Sequence, residues 1–427
     1  MQPHSVLTVD EIQLGDPVFW KRPPEEREGA FATLRRERPV SFHAELDPRL
    51  PSGPGFWALS RHADVLKAGT TPKVFSSARG IGMIDLPPEF LEFFGSMIAM
   101  DHPRHGRLRR LVSAAFTARQ LAKVETDVQH AAACVIDAVA EKGSCDFVTE
   151  IAAPFPIRII CEMMGIPESQ HAFVFEQTNI ILGAGDPEYV AEGTDVMAAF
   201  FNAGAALAEL MKDLARLRQA TPAEDLTSVL VNAEIAGDRL NTQELASFFV
   251  LLVAAGNETT RNAISHGMKA LSDHPDERGI WQRDFDRVAP TAVEEIVRWA
   301  SPVIFMRRSA VCDTEIGGQK IREGDKVLLF YSSANRDEAV FADPFRFDVR
   351  RDPNDHLGFG GGPHFCLGAN LARREITVMF QQLFRRLPDL EITGPADLLW
   401  SPFIHGIKHM PCRFTPRAAE LDRRSAV

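Results

Sequence analysis

A single cysteine follows three consecutive glycines in the stretch LGFGGGPHFCLGANLARRE, residues 357–375. Glycine has no side chain, so Gly360, Gly361 and Gly362 allow the backbone to turn sharply and to approach a flat, bulky ligand. Cys366 then stands at the start of a segment with helical periodicity. The positive end of a helix lowers the pKa of a thiol, so this sulfur suits metal binding or nucleophilic chemistry. The alternative is a buried thiol without a chemical role.

The composition is that of an ordinary globular protein, with 45% hydrophobic and 25% charged residues, and this argues against a disordered chain. The formal net charge of -11 argues against nucleic acid as a partner. The N-terminus has neither a basic leader nor an apolar segment. The apolar run at residues 246–256 is shorter than the roughly twenty residues of a membrane span. We therefore expect a cytoplasmic protein without a membrane anchor.

Helical patterning dominates the sequence, which predicts a mainly α fold with a small β region to one side. No repeat, low-complexity tract or Gly/Ser linker divides the chain, so residues 1–427 are expected to form one domain with no fused reductase. The six cysteines are dispersed and contain no CxxC pair. This spacing argues against a zinc cage and against a disulfide framework.

The cysteine stretch contains the pattern F-G-x-G-x-H-x-C-x-G, formed by Phe359, Gly360, Gly362, His364, Cys366 and Gly368. It resembles the haem-binding loop of the cytochrome P-450 family of haem-thiolate monooxygenases, and the resemblance covers nearly the whole chain. It implies the P-450 fold, with haem b between a long oxygen-activating helix and the helix after the cysteine loop. Cys366 would be the thiolate ligand of the iron, Phe359 would cover the sulfur side, and Gly360 and Gly368 would contact the cofactor.

The segment AGNETT, residues 255–260, resembles the family's oxygen-activating motif. The resemblance implies that Thr259 donates a hydrogen bond to bound dioxygen and that Glu258 belongs to the proton relay. Gly256 is expected to permit a local opening of the helix. The alternative is the polar end of an amphipathic helix.

The resemblance also implies two groups of charged side chains. Glu295 and Arg298 form the family's E-x-x-R pair, and the arginine that usually joins this pair is predicted to be Arg346 in FADPFRFD. We expect this network to support folding and haem retention. The haem propionates are expected to bind a second group, His105, Arg109, Arg308 and His364.

The predicted pocket segments are apolar, which suits a hydrophobic substrate oriented by shape. They are residues 81–100, 179–190, 249–255, 302–306 and 400–408. Several stretches resemble the actinobacterial, largely mycobacterial, subgroup that hydroxylates methyl-branched lipids and sterol side chains. The resemblance implies hydroxylation with O2 at the terminal (ω) carbon of a methyl-branched fatty acid, an isoprenoid or a sterol side chain.

Electrons are expected from a separate ferredoxin and its reductase, because the haem domain uses the whole length of the chain. Five arginines near the cysteine loop are candidates for a basic surface that attracts an acidic ferredoxin. They are Arg104, Arg107, Arg110, Arg373 and Arg374.

Other functions remain open from the sequence. The substrate could be another hydrophobic small molecule, such as a terpenoid or a secondary metabolite. A haem sensor or electron carrier would need the cysteine but not Glu258 and Thr259. A peroxide-driven enzyme would not need the threonine, and a cysteine hydrolase would leave the glycines and the Glu295 group unexplained.

Overall fold

Helices dominate the computed structural model, which describes residues 3–4, 6–49, 53–87, 90–91, 96–115, 118–235 and 237–419. The α-helices of this part of the chain are α1 Pro17–Trp20, α2 Pro24–Glu37, α3 His62–Thr70, α4 Arg104–Ala115, α5 Ala118–Ala140, α6 Pro154–Met164, α7 His171–Gly183, α8 Val196–Ala220, α9 Leu226–Asn232, α10 Thr242–Asp273, α11 Pro275–Arg283, α12 Phe285–Ala300, α13 Tyr331–Ala334 and α14 Ala369–Arg386. A π-helical turn covers Val148–Ala152, and 3-10 turns cover Ser96–Ala99, Glu168–Gln170 and Gly362–His364.

The long helix α10 organises the helical region. It starts with a capping box, in which the Asn241 side chain accepts from the Glu244 backbone N–H and the Glu244 carboxylate accepts from that of Asn241. Its 32 residues end before Pro275, which begins α11. Because α10 packs against helices on several sides, apolar side chains such as Phe249 and Ile264 are fully buried.

The strands form a small β region, as predicted. They are β1 Val40–His43, β2 Phe56–Leu59, β3 Phe75–Ser76, β4 Ser144–Asp146, β5 Glu234–Ile235, β6 Asp238–Arg239, β7 Phe305–Ala310, β8 Thr314–Ile316, β9 Gln319–Ile321, β10 Lys326–Phe330, β11 Glu391–Ile392, β12 Asp397–Leu398, β13 Ile407–His409 and β14 Pro411–Arg413. The largest sheet has the order β1-β2-β10-β7-β3, with β10 parallel to β2 and the other neighbours antiparallel. Among the described residues, no helix is both long and apolar enough to span a membrane.

The Glu295 and Arg298 pair is buried, with both side chains at 0% exposure. Arg298 donates two hydrogen bonds to the Glu295 carboxylate, at 2.7 and 2.8 Å. The third member, however, is Arg351, whose Nε lies 3.1 Å from Glu295 Oε2. The prediction of Arg346 was wrong, because that side chain is 59% exposed and its nearest carboxylates are 3.9 Å away. Arg346 contributes only its backbone carbonyl, which accepts from Arg298 and Arg351.

We predict that Arg351→Ala lowers the free energy of unfolding by about 2–4 kcal/mol, because the buried Glu295 carboxylate loses a charged donor. Arg346→Ala is the matched control and should change it by less than about 0.5 kcal/mol. Chemical denaturation of both variants measures the difference. A larger loss in Arg346→Ala would contradict this assignment of the network.

Candidate active site

The backbone of the cysteine loop requires glycine at two positions. Gly360 and Gly362 have positive φ angles of 71° and 65°. A Cβ atom on Gly362 would lie 2.7 Å from the backbone oxygen of Gly69 on α3, so the loop sits directly against that helix. The turn ends with the Cys366 N–H donating to the Phe359 carbonyl at 2.9 Å. These contacts place the cysteine just ahead of α14, as the sequence predicted.

Opposing effects act on the Cys366 thiol. The side chain is exposed, but the surrounding protein atoms desolvate the sulfur and raise the pKa of the thiol above its usual value. The Gly368 N–H and the charges of Arg109 and Arg373 act in the opposite direction. These groups favour the thiolate, the form in which cysteine binds metal ions.

The Phe359 ring is held beside the loop by its neighbours. The Arg373 guanidinium lies 4.5 Å from the ring centroid, and the Phe365 ring lies 6.3 Å away. Glu294 fixes Arg373 through an ion pair of 2.6 Å. A cation over an aromatic face restricts the ring, so Phe359 forms a rigid apolar wall next to the cysteine.

A cluster of basic side chains gathers beside the loop, on α4, β7 and the 3-10 turn Gly362–His364. The rings of His105 and His364 are 4.3 Å apart, and Arg109 donates to the carbonyls at positions 363 and 365. Burial, then the charges of Arg308 and His105, lower the pKa of His364 to about 3. Burial and the charge of Arg109 also lower the pKa of His105. Because these groups oppose one another's protonation, the cluster suits an anionic ligand such as a pair of carboxylates.

The middle of α10 presents Thr259 to a large cavity. The Thr259 hydroxyl donates to the Ala255 carbonyl at 2.6 Å, within an uninterrupted helix. The predicted opening at Gly256 is therefore absent from α10. A Cβ atom at Gly256 would lie 2.5 Å from Cδ1 of Ile160 on α6, so that side chain would have to move.

Glu258 does not line this cavity. Its side chain is 1% exposed and forms an ion pair with Arg261 at 2.6 Å, while Asn262 donates to the same oxygen at 3.3 Å. Its other oxygen, Oε1, is buried without a hydrogen-bond partner. Burial raises the pKa of Glu258, and the charge of Arg261 acts against this. The structure thus separates the predicted acid and alcohol, giving each its own partner.

The cavity has a volume of about 400 Å³ and is mainly apolar. Each of the five segments predicted from the sequence contributes to its wall, for example through Met83, Ile181, Ala254, Phe305 and Phe403. A cavity of this size and lining fits a drug-sized hydrophobic molecule. Most of the wall therefore lies in the segments predicted from the sequence.

Two parts of the wall were missed. One is the N-terminal region, which contributes Trp20, Lys21 and Arg49, and the other is the start of α8 with Met197 and Phe200. The apolar residues around position 200 offered a signal. The N-terminal residues offered none, because their contact with the cavity depends on long-range packing.

The chain was compared with known proteins. It is 50% identical over 414 residues to the methyl-branched lipid omega-hydroxylases of Mycobacterium tuberculosis and Mycobacterium bovis, covering 96% of each chain. The chain belongs to the cytochrome P450 family. The P450 family model matches residues 194–388. The steroid C26-monooxygenase of Rhodococcus jostii is 38% identical, over 88% of this chain and 80% of its own.

A solved P450 structure has the same fold. The Mycobacterium marinum cytochrome P450 in complex with pseudoionone superposes with a TM-score of 0.90 at 44% identity, covering 96% of this chain and all of that one. The predicted P450 fold is thus confirmed, and so is the prediction of a monooxygenase. Membership of the family implies a haem cofactor with a cysteine thiolate ligand.

The residues of this chain fit such a cofactor. A Cβ atom on Gly368, two residues after Cys366, would meet nothing within 4 Å, so space is open beside the cysteine, and the basic cluster of His105, Arg109, Arg308 and His364 offers donors for carboxylates. The two helices predicted to flank the haem also pack closely, since a Cβ atom on Gly267 of α10 would lie 3.0 Å from the Phe380 ring of α14.

We predict that Gly362→Ala reduces haem content and lowers the free energy of unfolding by about 1–3 kcal/mol, because alanine is strained at a positive φ and collides with α3. Gly361→Ala is the control, since this residue has an extended φ of -158° and its Cβ would meet Leu66 at an ordinary 3.5 Å. The Soret to 280 nm absorbance ratio and denaturation curves measure both effects. Equal losses in the two variants would contradict the proposed close contact.

Proposed function

We propose that this P450 hydroxylates a hydrophobic lipid at the terminal (ω) carbon of a methyl-branched fatty acid, an isoprenoid or a sterol side chain. The observation that carries the proposal is the 50% identity over 96% of both chains to relatives named methyl-branched lipid omega-hydroxylases. The cavity supports the proposal, because its mainly apolar wall can pack against a long hydrocarbon chain and offers few polar partners.

We assign Cys366 as the thiolate ligand of haem b, with Phe359, Gly360 and Gly368 against the cofactor. The basic cluster would bind the two propionates. The support is that its members lower one another's pKa values, and a bound anion would relieve this repulsion. When bound and reduced, a thiolate-ligated haem activates dioxygen for insertion into a C–H bond.

Thr259 is the proposed donor to dioxygen, because its hydroxyl is the polar side-chain group that α10 presents to the cavity. To donate there, the hydroxyl must leave the Ala255 carbonyl, which is a rotation of one side-chain bond. Glu258 is the proposed proton source behind it. Burial raises its pKa and so favours the protonated carboxyl once Glu258 has left Arg261.

Terminal hydroxylation requires that the chain reach the haem end-on. Terminal C–H bonds are stronger than internal ones, so selectivity must come from position. Walls contributed by several separate segments, including those around Ile84, Leu182 and Val303, can restrict an inserted chain in this way.

Ferredoxin and its reductase are the proposed electron donors to a single domain of residues 1–427, acting in the cytoplasm. The basic surface expected for ferredoxin is partly neutralised within the chain. Arg107 pairs with Asp238 and Glu244, Arg373 pairs with Glu294, and Arg374 pairs with Glu125. Docking would therefore depend more on shape and on the remaining charges than the sequence indicates.

A second candidate is the oxidation of another hydrophobic small molecule, such as a terpenoid or a secondary metabolite. The Mycobacterium marinum structure with pseudoionone favours it, since the two chains are 44% identical. A ligand panel that contains pseudoionone beside the branched lipids separates the two candidates.

The first experiment is the visible spectrum of the reduced, carbon monoxide-bound protein, followed by ligand titration of the ferric form. We expect a red-shifted thiolate-type Soret band that Cys366→Ala abolishes and that Cys134→Ala, at a cysteine far along the chain, retains. Methyl-branched lipids should shift the ferric spin state, and product analysis should show ω-alcohols. Internal alcohols, or a response to pseudoionone alone, would refute the proposed reaction.

Replacement of Thr259 tests its role in proton delivery. We expect Thr259→Ala to lower product per electron consumed by about tenfold or more and to divert electrons to hydrogen peroxide, because a general acid contributes about 10²-fold or more. Thr259→Ser keeps the hydroxyl and should retain most of the coupling. Unchanged coupling in the alanine variant would remove Thr259 from the mechanism.

A further inference from the structure

The cavity changes character at one end. Among the described residues that line it, the charged ones are Lys21, Asp47 and Arg49, which all come from the N-terminal region. Lys21 and Arg49 are exposed, and Trp400 beside them is 40% exposed. We call Lys21, Asp47, Arg49 and Trp400 the cavity mouth, because they are lining residues that also reach solvent.

The charges of the cavity mouth do not balance. Arg49 is committed to Asp47, to which its Nε and Nη2 donate at 3.0 and 2.8 Å. Although burial alone would raise it, the pKa of Asp47 is lowered by hydrogen bonds from Arg49 and by the charges of Arg49 and Lys21. The group thus holds two cations and one carboxylate, and it carries one net positive charge.

Lys21 carries this excess charge. In the part of the chain that the structure describes, its ammonium is in no ion pair, and its Nζ lies 4.2 Å from the centroid of the Trp400 ring. Contact with an aromatic face holds an ammonium in place and leaves its other N–H groups for another acceptor. Lys21 is therefore a positioned cation at the border between solvent and an apolar cavity.

We propose that the cavity mouth binds a carboxylate, with Lys21 as its ion-pair partner, so that the substrate class is a lipid acid. This inference rests on the proposed function and narrows its substrate from lipids in general to chains that end in a carboxylate. An anion loses its hydration inside an apolar cavity and stays at the mouth. The apolar chain then fills the cavity, and the end opposite the carboxylate lies deepest.

The test compares a methyl-branched fatty acid with its methyl ester, which has the same chain without the charge. Binding is measured by calorimetry and by the ferric spin shift, in the wild-type holoprotein and in Lys21→Met, which keeps an unbranched stem. We expect the wild type to prefer the acid, and Lys21→Met to weaken acid binding about fivefold while ester binding stays the same. Lys21→Arg should restore acid binding, and added salt should reduce the preference for acid.

Lys67→Met on α3 is the control for the general loss of a positive charge, since Lys67 does not line the cavity. Equal binding of acid and ester by the wild type would overturn the carboxylate subsite, as would an equal loss of both ligands in Lys21→Met. These results are distinct from failure of the proposed function. If the ester is bound and hydroxylated at the ω carbon as well as the acid, the function stands and the subsite falls. If neither lipid binds, both fall.

Discussion

The buried ion pair between Glu295 and Arg298 is the interaction on which the cysteine side of the molecule depends. A buried pair repays its desolvation only when its remaining hydrogen-bonding groups are satisfied, and here they are. Arg298 donates to the Asn335 carbonyl, and the Asn335 side chain accepts from the Leu357 N–H at 2.7 Å. Arg351 closes the carboxylate side. The charge pair thus fixes the segment that leads directly into the glycine turn, so the position of Cys366 follows from a network that does not contact it.

The helix on the other side of the site resolves a different conflict. The proposed function needs polar groups in the middle of α10 for proton delivery, yet polar groups in an apolar helix are costly without partners. Thr259 meets this need locally through the Ala255 carbonyl, whereas Glu258 depends on Arg261. Thr259 makes one contact that a single side-chain rotation can replace, whereas Glu258 must release both Arg261 and Asn262. The helix is therefore intact in the structure, and its two polar side chains bind partners within the protein that they can exchange for others.

Local sequence patterns predicted part of the fold and part of the candidate site. The loop around Cys366 and the apolar segments of the cavity carry their own signals in residue type and spacing. The third member of the Glu295 network carries no such signal. Arg346 and Arg351 lie close together in one loop, and only packing shows which side chain turns inward. Gly256 was expected to open the helix, but its contact is with Ile160, nearly a hundred residues earlier, which no local pattern shows. The same limit hid Lys21, whose aromatic partner Trp400 is near the other end of the chain.

Recognition of a chain terminus poses a particular physical problem, because a methyl group offers no polar handle. No hydrogen bond can select it, so the protein can place it only by excluding the rest of the molecule from the site. The distribution of charge in the structure suits such selection under the proposed function. The buried Arg308 guanidinium and the half-buried His364 ring lie beside the cysteine loop, where they suit an anionic ligand, and the charged residues of the cavity wall reach solvent. Between them the wall is mainly apolar. In the proposed orientation, a polar head would stay at one end, and the least polar part of the ligand would approach Thr259.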